Sequence, residues 1–151
     1  MKEWTALSGM LVLLCGCVAL PESLVGGTVE RVATGFRFTE GPVWHADGYL
    51  IFSDIQGNTI YKLENGEKKV FRQPSDNSNG LAFDLQGRLL ACENAGRRVS
   101  RTLKDGTVQA IATHYEGKRL NSPNDLAVKS DGAVYFTDPP YGVRPEDREL
   151  D

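Results

Sequence analysis

The sequence predicts an all-β fold of the β-propeller type, and three observations predict it. First, three stretches superimpose without a gap: Glu40 followed by GPVWHADGYLIFSD, Asn79 followed by GLAFDLQGRLLACE, and Asn124 followed by DLAVKSDGAVYFTD. Second, their polar leaders stand 39 and 45 residues apart (40 to 79, 79 to 124), and a period near 40 with strand-like units marks propeller blades. Third, each stretch has the pattern of a hairpin. A Gly falls eight residues after the leader (Gly48, Gly87, Gly132), and an apolar run then ends in an acid (Asp54, Glu93, Asp138).

Residues 1–20 read as an export signal. Lys2, offset by Glu3, precedes an apolar stretch from Ala6 to Leu20 that is broken by Ser8, Gly9 and Gly16. That is shorter than the roughly 20 apolar residues a membrane-spanning helix needs. Leu14-Cys15-Gly16-Cys17 resembles a bacterial lipobox, with Cys17 as the lipidated residue and Cys15 as a departure at the middle position. The rival is cleavage after Ala19, which releases a soluble secreted protein. The expected location is therefore periplasmic or extracellular, with a lipid anchor to the membrane through Cys17 on the first alternative. Residues 21–30 read as a linker, and 31–151 as the N-terminal part of a propeller.

Residues 28–38 are expected to form one or two strands. In each repeat the first strand follows the leader (Pro42–Trp44, Leu81–Phe83, Leu126–Val128). Asp47-Gly48 and Asp131-Gly132 are strong hairpin dipeptides, and Gln86-Gly87 takes their place in the second repeat. The second strands, Tyr49–Phe52, Leu89–Cys92 and Ala133–Phe136, are continuous apolar runs, as suits strands covered on both faces. Third strands are expected at Asn58–Leu63 and Arg97–Leu103, and fourth strands at Lys68–Arg72 and Thr107–Thr113. Asn65-Gly66 and Asp105-Gly106 supply the turns between them. After Asp138 the pattern breaks off at Pro139-Pro140. The chain thus carries about two and a half blades, and the expectation is a propeller cut off in mid-blade.

Composition is that of a globular protein, 40% hydrophobic and 25% charged, with a net charge of −3. No nucleic-acid partner is expected. The short basic run Arg97, Arg98, Arg101 reads as a solvated strand face beside an acid. Cys92 lies in an apolar run and reads as a small buried hydrophobe rather than a nucleophile. Trp44, Phe83 and Phe136 read as blade-packing residues. His45 and His114 occupy no shared repeat position and receive no role.

Glu40, Asn79 and Asn124 matter because blades are related by rotation about a channel. Equivalent positions then converge on one place. Carboxylate and amide oxygens suit hard cations such as Ca²⁺ and Mg²⁺, although one carboxylate is little charge and a further acid is expected from a later blade. Asp54, Glu93 and Asp138 are also equivalent. They read as structural, each accepting backbone N–H bonds in the turn that follows its strand.

The strings TEGPVWHADGYLIFSD, SNGLAFDLQGRLLACENAGRRVSRT, GKRLNSPNDLAV and DGAVYFTDPPYG resemble the SMP-30/gluconolactonase/LRE-like family, in particular its bacterial gluconolactonases. The resemblance runs from about Gly35 to Gly142. It implies a six-bladed propeller with one divalent metal (Ca, Mg or Zn) at the channel mouth, and hydrolysis of a small-molecule lactone such as that of a sugar acid. It implies that Glu40 and Asn124 are metal ligands and that Asn79 holds the substrate or a metal-bound water. It implies no catalytic base in this chain, since the Asp with that role is expected beyond Asp151. Two departures stand out: Asn94 where many relatives have His, and Asn77 where some animal members have Arg. A non-catalytic propeller that binds a sugar or protein, and a non-functional truncated product, are the alternatives.

Overall fold

The computed structural model describes residues 28–150. The chain divides into two compact units, Met1–Glu30 and Arg31–Asp151. The first lies almost wholly outside the described residues, and with it the expected signal segment, Cys15 and Cys17. Among the described residues no helix is long and apolar enough to cross a membrane.

The second unit is antiparallel β-structure in the expected repeats. The first blade comprises β1 (Thr39–His45), β2 (Tyr49–Asp54), β3 (Thr59–Glu64) and β4 (Glu67–Arg72), hydrogen-bonded in that order. The second comprises β5 (Ser78–Phe83), β6 (Leu89–Glu93), β7 (Arg98–Thr102) and β8 (Val108–Ala112) in the same arrangement. A small hairpin follows, β9 (His114–Tyr115) with β10 (Lys118–Arg119). The inner hairpin of the third repeat is β11 (Leu126–Val128) with β12 (Val134–Phe136). Two 3-10 turns, Pro140–Gly142 and Pro145–Asp147, end the described chain.

Local chemistry sets the turns. Between β3 and β4 the loop is only Asn65-Gly66, with φ of 51° and 78°, and Glu64 pairs directly with Glu67. Two successive residues at positive φ match the twist of the flanking strands, and Asn-Gly adopts them at the least steric cost.

The core is the seam between the two blades. Ile51, Ile60, Leu81, Leu89 and Ala91 form one buried cluster, with Val43, Tyr49 and Phe83 packed against it. β6 is buried at every position, as its continuous apolar run predicts.

Four expectations are corrected. Residues 28–38 are not a strand: among the described residues they have no ladder partner, and the first strand begins at Thr39. Trp44 does not pack between the blades and is 65% exposed. Alternation along β1 turns Val43 and His45 toward the second blade and Trp44 to the opposite face. The third repeat's second strand is not covered on both faces, since Tyr135 is 63% exposed. The basic run is not a solvated face. Arg97 donates to the carbonyl oxygens of Leu120 (2.6 Å) and Asp147 (3.1 Å), Arg98 bonds Glu93 and Asp76, and Arg101 lies 3.0 Å from Asp84.

Candidate functional site at the leaders of the blades

Each leader sits where the first strand of its repeat leaves regular pairing. In β1 the register shifts between Glu40 and Val43, and in β5 between Ser78 and Leu81. The irregularity falls at the same repeat position in both blades. Bulges of this kind bend a strand and re-aim its side chains. In the third repeat Asn124 and Asp125 precede β11. Asn124 N donates to Thr137 O (2.9 Å), and Thr137 N donates to Asp125 O (3.0 Å).

The residue after each leader lets neighbouring repeats approach. Gly41 has a φ of 57°, and a Cβ there would stand 2.2 Å from Asn79 O. A Cβ on Gly80 would stand 2.3 Å from Asp125 Oδ1, and Gly80 N donates to Asn124 O at 2.8 Å. Glu40-Gly41, Asn79-Gly80 and Asn124-Asp125 therefore lie backbone against backbone in chain order. Together with Pro42 and Leu81 they line one cleft of about 190 Å³.

The three sequence-predicted residues are thus brought together. Glu40 is exposed, while Asn79 and Asn124 are half-buried. Among the described residues none of their side chains makes a hydrogen bond, whereas the backbone that carries them is firmly held. Ser53 Oγ donates to Asn79 O (2.8 Å) and lies 2.9 Å from Ser78 Oγ. Asn58 Oδ1 accepts from the backbone N–H groups of Ser75 and Asn77, each at 3.0 Å. Asn77 donates its amide to Ile55 O at 2.6 Å and is committed to this loop.

Asp125 is the lining residue that sequence reasoning missed. The signal was available: it stands where the other two repeats carry Gly41 and Gly80. It adds a second carboxylate to a cleft whose polar side chains offer oxygen acceptors. Such a donor set fits a hard divalent cation held by carboxylate and amide oxygens. Among the described residues there is no cluster of three or more His, Cys, Asp or Glu.

The strand-closing acids differ from expectation in two cases, Glu93 and Asp138, the latter accepting Asn121 N (2.7 Å) ahead of its strand rather than an N–H of the turn that follows. Asp54 accepts the N–H of Gly57 in the following turn, and also those of Arg37 and Phe38. Burial pushes its pKa up, but these three N–H groups outweigh burial and hold it below the usual aspartate range. Among the described residues Glu93 accepts no backbone N–H. It is fully buried between Arg72 (2.8 Å) and Arg98, with Ser100 Oγ 2.5 Å away. Arginines on either side replace the turn amides because Glu93 faces the blade interior, where β4 reaches across with Arg72. Cys92 is buried as expected. Burial first, then the charges of Asp125, Asp138 and Glu93, push its thiol up to about 12, so it is no nucleophile.

A larger cleft of about 650 Å³, lined by Asn94, Arg97, Arg119 and residues 142–149, contains none of the leaders. Its polar groups largely satisfy one another: Arg144 pairs with Glu146 and Asp147, and the backbone N–H of Arg119 donates to the Glu149 carboxylate.

Comparison with known proteins bears on the family and the fold. The family model for the SMP-30/Gluconolactonase/LRE-like region matches residues 38–149. A gluconolactonase of Zymomonas mobilis subsp. mobilis is 33% identical over 135 residues, covering 79% of this chain and 38% of that protein. The solved structure of a Xanthomonas campestris gluconolactonase superimposes with a TM-score of 0.72 at 39% identity, over 78% of this chain and 40% of that one. A virginiamycin B lyase from Staphylococcus aureus, at 17% identity and a TM-score of 0.55, shares the fold alone. The chain spans about two fifths of the length of the gluconolactonases it matches.

Proposed function

The chain belongs to the SMP-30/gluconolactonase/LRE-like family, and from that premise we propose that the complete propeller hydrolyses a sugar-acid lactone to the open hydroxy acid. One observation carries the reading. Glu40, Asn79 and Asn124 converge on a single open cleft, and their side chains have no hydrogen-bond partner among the described residues. Polar groups held in place but left without partners are suited to a ligand.

In this reading Glu40 and Asn124 hold a divalent cation, Ca²⁺ or Mg²⁺ by the chemistry of their oxygens and Zn²⁺ as the less suited third. When bound, the cation supplies Lewis-acid polarisation of the lactone carbonyl. Asn79 orients the substrate or the attacking water through its amide. Water adds to the carbonyl carbon, the ring C–O bond breaks, and the ring oxygen leaves as the hydroxyl of the product. A neutral amide cannot take the proton from water. This reading assigns that proton to a carboxylate in a later repeat of the complete protein.

Glu40→Gln and Asn124→Ala in the complete protein test the assignment. Each is expected to weaken divalent-cation binding and to lower kcat/KM on gluconolactone by about 10²-fold or more, the scale set by losing one preorganised electrostatic contact. Unchanged cation affinity and unchanged kcat/KM overturn it.

We further propose that residues 1–20 direct export and that Cys17 carries a lipid, on the strength of the Leu14–Cys17 string. Cys17→Ala is expected to move the protein from the membrane fraction to the soluble exported fraction. A soluble wild type would favour cleavage after Ala19.

A further inference from the structure

The three strand-closing acids each stand fourteen positions after a leader: Asp54 after Glu40, Glu93 after Asn79, Asp138 after Asn124. Each is also linked to the residue three positions before that leader. In the first repeat Asp54 accepts the N–H of Arg37 (3.1 Å to Oδ2) and that of its neighbour Phe38 (2.9 Å to Oδ1). In the third, Asp138 Oδ2 accepts Asn121 N at 2.7 Å. In the second, the equivalent residue is Asp76, a like charge. There Arg98 bridges the pair, bonding Glu93 through Nε and Asp76 Oδ2 through Nη2 at 3.0 Å. The same connection thus occurs in all three repeats, twice direct and once through an inserted guanidinium.

The leaders need such a connection. They lie at a register shift or ahead of a strand, so the ladder on one side of them is interrupted, and residues 37–38, which lead into the first repeat's leader, precede β1. Bonds to a carboxylate are about twice as strong as neutral ones. A carboxylate anchored at the end of the adjacent strand therefore sets the angle at which the leader enters the cleft.

We propose that Asp54, Glu93 and Asp138 are positioning residues, each holding the chain three residues before the leader of its own repeat and so aiming Glu40, Asn79 and Asn124 into the cleft. The proposal rests on the reading of that cleft as the cation and substrate site.

The test uses Asp54→Asn and Asp138→Asn in the complete protein, with Val99→Ala as a control. Val99 is fully buried and makes no bond to a leader segment. Amide exchange is followed at Arg37, Phe38 and Asn121, and Mn²⁺ binding by water-proton relaxation. Exchange is expected to rise about tenfold at Arg37 and Phe38 only in Asp54→Asn, and at Asn121 only in Asp138→Asn. Mn²⁺ affinity is expected to fall about tenfold in each acid variant and less than about twofold in Val99→Ala. Unchanged exchange at the leader segments, or an equal loss of Mn²⁺ affinity in the control, overturns the proposal. If the wild type takes up no Mn²⁺, the cation reading fails. The positioning role then stands or falls on exchange alone: a rise confined to the matching leader segment supports it, and a uniform rise or none overturns it.

Discussion

At the scale of single residues, two buried groups show how burial decides chemistry. Glu93 is 1% exposed and holds Arg72 and Arg98, the first of which crosses from the neighbouring blade. Removing one member of a buried ion network leaves uncompensated charge, which costs about 3–5 kcal/mol. Glu93→Ala is accordingly expected to lose stability on that scale in urea unfolding, with Arg72 and Arg98 left to face each other. Cys92 is expected to resist alkylation in the folded chain and to react only after denaturation, which peptide mass spectrometry at Cys92 would read. Both residues sit at the end of the same apolar run. The run announced that Cys92 is buried. The arginines around Glu93 come from positions 72 and 98: Arg98 is its cross-strand partner in the β6–β7 hairpin, whereas no local pattern joins position 72 to 93. The leaders were legible because repetition itself carries the information. Asp125 was legible in the same alignment, as the carboxylate that stands where the other two repeats carry Gly, but a search for equivalence passes over a departure.

At the scale of elements, the hairpins were readable wherever a Gly-containing turn separated two apolar runs. Where the sequence misled, the cause was non-local. Residues 28–38 have strand-like composition but no strand beside them among the described residues. The β9–β10 hairpin joins two dipeptides through Glu116-Gly117, too short to stand out. Trp44 looked like packing because its side of β1 is the side a neighbouring blade would cover. The glycines after the leaders make a sharp prediction. Gly41→Ala and Gly80→Ala place a Cβ within 2.2–2.3 Å of neighbouring atoms and are each expected to cost about 2–3 kcal/mol by overpacking. Gly48, at a φ of 90° with nothing within 4 Å, isolates the backbone term. Gly48→Ala is expected to cost about 1–2 kcal/mol. Equal costs at Gly41 and Gly48 in thermal unfolding would show that the close approach of blades is not what fixes Gly41.

At the scale of the whole molecule, ionisation couples the two blades to pH. Asp54 belongs to the first and Asp84 to the second. In each, burial pushes the pKa up and is outweighed: by backbone N–H groups at Asp54, and by the N–H and guanidinium of Arg88 with the N–H of Gln86 at Asp84. Both folded values lie below the unfolded one, about 3.9. In the window between them the unfolded chain binds more protons, so stability is full above about pH 5 and is lost as pH falls from about 4. Cys92 acts at the other end. Its folded value is raised, so stability declines as pH climbs past about 8.5, where the unfolded thiol ionises. Urea midpoints at pH 3, 6 and 10 are expected to peak at 6, and a midpoint that does not fall at pH 3 would contradict the role given to the two aspartates.

Every sheet pairing joins strands that are adjacent in sequence, β1 through β4 and then β5 through β8. Loop closures are therefore short, and their entropy cost is small. Each four-stranded unit can zip up from its own turns without waiting for distant chain. The slow step that remains is the docking of finished units along the Ile51–Leu89 seam. In a chain of this kind either unit can acquire structure first, and a turn mutation delays only the unit that contains it.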